Sequence, residues 1–483
     1  MRVRMLLVLL FSFLFVFLAL DSVGTGQVRK GSALETFTGY LDRRIPSLMN
    51  KYEIPGASIA IVTGGVCRWT KAYGYADLET GRKMTTDTPL RVQSISKPVT
   101  AWGVLKLVEK GEIELDAPIM QYLSSWEFPQ SEFLAGRVTT RQLLSHSSGL
   151  PLGNIFNRYS PEEELPTLKE SLAQEAVLVQ EPGLSFSYSN VGFNLLELLI
   201  EEVTGRDFAE YMEQEILVPL GMDKAGFNWN PGFNPPVPNG YDLNGTAIPV
   251  YIYPEKGSGG LFASVEDIAT FIAAGMPGFS QGRQVLSPQS IDQLYTPMME
   301  KLGVYSLVFD SYGLGYYIEN LSDGKQAVSH GGQGTGWMTH FHSVPETGDG
   351  IVILTNSQRS WPFIAYILKD WAEWRGLDSV GMEKIIVGKY LLSALAALIW
   401  CVVLWQVRAL VTRRKEHRLL SFGKAITALA LAVALWWCRS QDYLFISSVF
   451  PVVSRWLGIS LLFLIIALLL PSLRFQRMEC RKP

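Results

Sequence analysis

The sequence predicts an α+β domain followed by an all-α membrane segment, and three observations carry the prediction. Strand-like runs bounded by Gly, Pro and Asn lie at both ends of residues 34–376, with a mostly helical stretch between them. Strands at both ends imply one antiparallel sheet built from the two termini, with the helical middle as an insertion facing it. Beyond residue 386 the pattern changes to long apolar runs separated by basic clusters.

Taken in order, residues 1–26 begin with Arg2 and Arg4, continue as an apolar run from Met5 to Leu20 broken only by Ser12, and end with small residues at Ser22, Gly24 and Gly26. This is the layout of a secretory signal peptide, or of an N-terminal anchor, because the run slightly exceeds the usual roughly 7–15 residues. Leu34–Tyr52 has helical periodicity and stops before Ile54-Pro55-Gly56. Ala57–Thr63 and Val66–Tyr75 read as a hairpin around Gly64-Gly65. A polar loop through Thr88-Pro89 delivers the chain to Ser94, which heads an apolar-periodic run to Gly111. Pro98 falls in its first turn, where a missing N–H costs little.

From Leu115 to about Pro219 the pattern is helical, with short segments such as Thr140–Leu144 and Val191–Thr204. Asn228–Asn244 is rich in Pro, Gly and Asn and reads as loop. Val265–Ala274 is a helix capped by Ser264, and Ser287–Tyr295 is another. Strand signals return at Tyr312–Glu319, Ala327–Ser329, Trp337–Ser343 and Gly350–Thr355. Trp361–Trp374 closes the domain as an amphipathic helix.

Residues 386–473 hold three apolar runs, Tyr390–Val407, Phe422–Cys438 and Trp456–Leu470, each close to the length needed to span a bilayer. Tyr443–Val453 is too short to span and reads as interfacial or as an extension of the third helix. Arg408, Arg413, Arg414, Lys415, Arg418 and Lys424 crowd the loop 408–424, and Arg474, Arg477, Arg481 and Lys482 lie in the tail 474–483. The positive-inside rule puts both basic stretches in the cytoplasm, which requires three crossings and a multi-pass cell-membrane protein whose large domain is on the outer face. A signal peptide gives the same side independently. Three spans exceed what tethering needs, which points to a lateral membrane partner of unknown identity.

The mean hydropathy of +0.16 reflects these two ends. The net charge of −3 supplies no basic field, so nucleic acid is not an expected partner. Cys67 is the one cysteine of the exported domain, so no internal disulfide framework is available, and over three hundred residues are ample for a core without one.

Three clusters carry chemistry. In Ser94-Ile95-Ser96-Lys97 the two ends are three residues apart, on one helix face with Cβ atoms about 5–6 Å apart. A serine hydroxyl needs a neighbour to take its proton, and a buried lysine can lose its charge and serve. The helix start adds free backbone N–H groups suited to an oxyanion. In Tyr188-Ser189-Asn190, alternate residues of an extended stretch point the same way, so a phenol and an amide can face one cleft. His330-Gly331-Gly332-Gln333-Gly334 leads into a strand, and its glycines would let a substrate backbone lie against the strand edge.

Together, in this order and spacing, Ser94/Lys97, Tyr188/Asn190 and His330/Gly332 resemble the serine β-lactamase and penicillin-binding protein superfamily, and within it the class C β-lactamase, DD-peptidase and esterase branch. Connecting phrases add to the likeness: Ile54-Pro55-Gly56, Leu115-Asp116-Ala117-Pro118, Leu143–Leu150 and Gly259–Ser264. The resemblance covers about Leu34 to Arg375 and excludes the membrane segment. It implies acyl transfer through an ester on Ser94, with Lys97 and Tyr188 sharing the proton work. Asn190, His330 and Gly332 would bind the substrate, and the oxyanion would be held by the backbone N–H groups of Ser94 and Gln333. Whether Lys97 or Tyr188 is the base stays open. The β-lactamases of the branch lead the third motif with lysine. His330, largely neutral near pH 7, is a weaker carboxylate anchor, which favours a peptidase or esterase over a β-lactamase proper.

The expected substrates are D-amino-acid peptides or esters of the cell envelope: peptidoglycan stems, D-alanyl esters on wall polymers, or lipid-like esters. The alternatives are a penicillin-binding sensor or scaffold that is acylated but turns over poorly, and a true β-lactamase. A nucleophile elbow is absent, since Gly183-Leu184-Ser185-Phe186-Ser187 fails at its last position. No cofactor and no metal are expected, because His340-Phe341-His342 offers two imidazoles without an obvious third ligand. His146 reads as a brace for its loop.

Overall fold

The structure is a computed structural model and describes residues 28–155, 157–279, 285–377, 380–412, 418–441 and 445–479. The expected signal peptide or anchor and the basic residues Arg413, Arg414, Lys415, Arg481 and Lys482 lie outside them. Residues from Val28 to Glu383 form one compact unit, and those from Lys384 onward belong to another.

In the first unit, helix α1 (Leu34–Tyr52) buries Phe37, Leu41, Ile45 and Leu48 along one stripe. Strands β1 (Gly56–Thr63) and β2 (Val66–Asp77) turn through Gly64 and Gly65, both left-handed at φ 58° and 68°, as a tight two-residue hairpin requires. After β3 (Arg82–Lys83), a 3₁₀ turn at Gln93–Ile95 opens α2 (Ser96–Glu109), which is buried from Ser96 to Leu105. Helix α3 (Asn190–Thr204) is capped by the Ser189 hydroxyl, and α4 (Val265–Ala274) by a reciprocal Ser264–Asp267 capping box. Then come β4 (Ser311–Tyr312), β5 (Tyr317–Asn320), β6 (Gln326–Gly334), β7 (Trp337–Val344), β8 (Asp349–Thr355) and α5 (Trp361–Arg375).

The eight strands form one antiparallel sheet in the order β3-β2-β1-β8-β7-β6-β5-β4, so the first and last long strands are neighbours, with Ile59 opposite Ile353. Ala60, Val62, Val352 and Leu354 join the core that contains Trp102 and Leu196 of the helical insertion. α1 and α5 pack together: the Phe37 and Trp374 rings stack at 4.4 Å, and Arg44 and Tyr40 both bond the buried Asp370 carboxylate. The α+β architecture expected from the sequence is the one observed.

Several boundaries differ. The run Tyr312–Glu319 is two strands, because Gly315 at φ 88° reverses the chain and lets β4 pair with β5. The Ala327–Ser329 strand continues through three glycines to Gly334, since β7 pairs with it along that whole length. Within Asn228–Asn244, Gly240–Tyr241 pairs with Ala247–Ile248.

In the second unit, the helices are α6 (Glu383–Val411), α7 (Arg418–Ser440), α8 (Phe445–Val449) and α9 (Pro451–Glu479). Glu383–Val411, Phe422–Ser440 and Pro451–Leu470 are long and apolar enough to cross a membrane. α9 starts at Pro451 and runs on through Pro471, so residues 451–453 of the short expected segment belong to the third span.

His146, His330, His340 and His342 are all buried. Burial holds His330 down to about 3 and His342 to about 4, and pushes His146 and His340 well below the ordinary imidazole value. An unfolded histidine takes up its proton near pH 6.5. Below that pH the unfolded chain gains protons that the fold refuses, so stability is complete above about pH 6.5 and falls as pH drops toward 4. The slope is up to ~1.4 kcal/mol per pH unit for each such histidine. The thermal midpoint of the detergent-solubilised protein should fall steeply between pH 6.5 and 4.5, and more gently in a His340→Leu/His342→Leu variant.

Candidate active site

The turn that presents Ser94 is held from three directions. Leu90–Arg91 pairs with Phe262–Ala263, and Val92 N–H donates to the Leu261 carbonyl at 3.1 Å. The Thr339 hydroxyl of β7 donates to the Val92 carbonyl at 2.7 Å. Gln93 is left-handed at φ 55°, a conformation that costs a non-glycine residue about 1–3 kcal/mol. Its amide is fixed at both ends: Nε2 donates to the Tyr251 hydroxyl at 3.3 Å, and Oε1 accepts from Tyr253 at 3.2 Å. Ser94 follows, partly exposed, while Lys97 is 0% exposed.

Lys97 Nζ has three partners: Ser94 Oγ at 3.1 Å, Asn190 Oδ1 at 2.8 Å and the Ser258 carbonyl at 2.7 Å. Two of these can only accept, and the third is a hydroxyl that can donate. A neutral amine has two N–H groups and one lone pair, so it satisfies this set by donating to Asn190 and Ser258 and accepting from Ser94. Desolvation pushes the lysine well below its ordinary value, in the direction that favours this neutral form. No carboxylate appears among the bonded partners.

Tyr188 shares a hydrogen bond with Ser94, and its ring centre is 5.0 Å from Lys97 Nζ. Burial raises its phenol further above the usual range, so at neutral pH Tyr188 keeps its proton while Lys97 is pushed to lose one. His146 braces this tyrosine. Its ring lies 4.3 Å from that of Tyr188, and its Nδ1 accepts the Ser189 N–H at 3.1 Å.

His330 is 1% exposed. Its Nδ1 meets the Gly331 carbonyl at 2.9 Å, which can only accept, so Nδ1 carries the hydrogen and Nε2 faces the Tyr312 hydroxyl at 3.4 Å. The histidine is therefore buried with both nitrogens engaged. Gly332 has a packing role: a Cβ there would sit 2.1 Å from the Val92 carbonyl oxygen and 2.2 Å from Thr339 Oγ1. The glycine lets β6 lie against the Ser94 turn, a packing role beside the substrate clearance expected from sequence. The Gln333 side-chain oxygen accepts from Trp361 of α5 at 2.8 Å, which ties that amide to α5. β5 pairs with residues 326–329 only. From His330 to Gly334 that edge of β6 has no strand beside it among the described residues.

Sequence reasoning missed three contributors. Gln93 supplies the strained turn, Ser258 supplies a carbonyl, and Glu197 holds that carbonyl in place. Glu197 Oε2 accepts the N–H groups of Lys256 and Gly257 at 2.6 and 2.7 Å, while Thr100 donates to the Gly257 carbonyl at 2.8 Å. Burial raises the Glu197 carboxyl to about 8, toward its neutral form. The one visible signal was an acidic residue inside the apolar run Leu195–Ile200. Among the described residues no group of three or more His, Cys, Asp or Glu side chains is arranged to hold a metal.

A Gly332→Ala variant should lose ~1–3 kcal/mol by overpacking, read as a lowered thermal midpoint. Glu197→Gln should keep the reactivity of Ser94 toward a fluorophosphonate within a few-fold. Glu197→Ala should lower it by ~100-fold, because the Ser258 carbonyl then shifts away from Lys97.

A family model described as beta-lactamase matches residues 41–366. Protein flp of Staphylococcus aureus (strain N315) is 25% identical over 458 residues, covering 87% of this chain and 86% of its own length. Esterase EstB of Burkholderia gladioli is 27% identical over 278 residues, covering 50% of this chain and 70% of that protein. A D-stereospecific amidohydrolase from Streptomyces sp. superposes with a TM-score of 0.51 at 25% identity, over 63% of this chain and 90% of that one. The matched stretch takes in every residue that meets at Ser94, and the chain belongs to the beta-lactamase family.

Proposed function

We propose that this chain is a membrane-anchored serine hydrolase that works through an acyl-enzyme on Ser94 and acts on D-amino-acid peptides or esters of the cell envelope. The observation that carries the reading is the bonding of Lys97: a buried amine with two obligate acceptors and one hydroxyl is arranged to remove the proton from that hydroxyl. The esterase and the D-stereospecific amidohydrolase among its relatives support ester and D-amino-acid chemistry.

In this mechanism Ser94 Oγ attacks the carbonyl as Lys97 takes its proton. Tyr188, still protonated, passes a proton to the leaving group. The backbone N–H groups of Ser94 and Gln333 hold the oxyanion, and Asn190 orients both Lys97 and the substrate carbonyl. Water then enters, with Lys97 and Tyr188 in reversed roles. The basic loop 408–424 and tail 474–483 lie on the cytoplasmic side, which leaves the catalytic unit on the outer face of the cell membrane, within reach of wall polymers.

Mass spectrometry of the intact protein after exposure to a cell-wall digest tests this. An acyl adduct on Ser94 that decays with release of product is the expected result. A stable adduct without turnover would give the sensor reading instead, and no adduct would remove both. Lys97→Arg should lower ester hydrolysis by ~10²–10⁴-fold, because a guanidinium cannot give up its proton. The wild-type rate should rise with pH as Lys97 deprotonates, with a midpoint well below 10.5 and activity lost on the acid side.

A further inference from the structure

The cleft wall on the His330 side of Ser94 is built from uncharged rings. Tyr305 stacks on Tyr188 with centroids 5.7 Å apart and lies 5.8 Å from Tyr317. Tyr317 is in turn 5.2 Å from His330 and 4.8 Å from Tyr312. Tyr312, Tyr317 and His330 are buried, so the rings that reach the cleft are those of Tyr188 and Tyr305, both partly exposed. His330 has spent both nitrogens inside the fold, and burial keeps it neutral down to about pH 3.

The turns beside this wall expose aliphatic side chains among polar ones. Tyr305 sits on the 3₁₀ turn Gly303–Leu307, whose Val304 and Leu307 are 55% and 66% exposed. Phe186, 6.1 Å from Tyr305, lies two residues after Leu184, which is 69% exposed. A carboxylate entering such a mouth would lose hydration without gaining a cation, whereas an apolar group would gain from leaving water.

We propose that the leaving group accepted on the His330 side is uncharged and apolar, an ester alcohol or an amide amine without a carboxylate, and that Tyr305 selects it. The inference rests on the acyl-enzyme reading above and narrows its substrate class. Ser94 Oγ forms the bond to the acyl carbon, and the bond from that carbon to the leaving oxygen or nitrogen breaks. The leaving atom receives the proton that Ser94 gave up, by way of Lys97 and Tyr188. A water oxygen then bonds to the acyl carbon, the Ser94 ester breaks, the acid departs and the serine hydroxyl is restored. Lys301, exposed and two residues ahead of the turn, is the cation nearest to it in sequence.

The full-length protein in lipid nanodiscs is given N-acetyl-D-alanine esterified either to 3-methylbutanol or to 3-hydroxypropionate, alcohols of matched shape that differ by a carboxylate. We expect kcat/KM to favour the neutral ester by ~10-fold or more. Tyr305→Arg should shrink or reverse that ratio, and Lys301→Ala should leave it unchanged. A wild-type enzyme that prefers the carboxylate ester, or treats the two equally, overturns the inference, as does a ratio that Tyr305→Arg does not move or that Lys301→Ala alters. If neither ester turns over while Ser94 still takes up fluorophosphonate, the leaving-group assignment fails and the nucleophile stands. If Ser94 takes up no fluorophosphonate, the acyl-enzyme reading itself fails.

Discussion

Lys97 has no contact with water and no carboxylate among its bonded partners, and the site is built around that constraint. An ammonium in such a place would lose its hydration for two neutral acceptors and a hydroxyl, which is why burial drives the group toward the free amine. Each partner arrives on a different piece of chain: Ser94 one turn earlier, Asn190 at the start of α3, and the Ser258 carbonyl on a loop pinned by Glu197 and Thr100. The contrast with Tyr188 supports the proposed division of roles. The same desolvation that strips a proton from a cationic acid fastens one to a neutral acid, which fits lysine as the base at rest and tyrosine as the donor.

The sheet supplies what those side chains cannot. Pairing β1 with β8 closes the domain on its own termini, and β6 and β7 then carry Gly332 and Thr339 against the Val92–Gln93 turn. That contact holds Gln93 in a left-handed conformation that the isolated segment would avoid, and the packing around its amide offsets the strain. β6 and β7 thus stabilise the turn that presents Ser94.

Much of this was legible in the sequence, for identifiable reasons. Caps are local, so Ser264 and Ser287 marked helix starts where the structure has them. The three motif clusters were visible because their chemistry depends on side-chain identity. What escaped notice depends on tertiary contact. Ser258 acts through a carbonyl that every residue owns, and Glu197 acts through the backbone of a loop some sixty residues away. The glycines of β6 argued against a long strand until β7 was there to pair with them. His330 was legible as a candidate by its motif, and only tertiary contact shows its nitrogens engaged with Tyr312 and the Gly331 carbonyl.

The protonation state of Lys97 decides the account most directly. In protein labelled with ¹⁵N at lysine side chains, the Nζ resonance of Lys97, assigned by its loss in Lys97→Arg, should have the shift of a neutral amine at pH 8, while surface lysines are still ammonium. A Lys97 that stays ammonium until pH 10 would contradict the claim that this residue is the resting base.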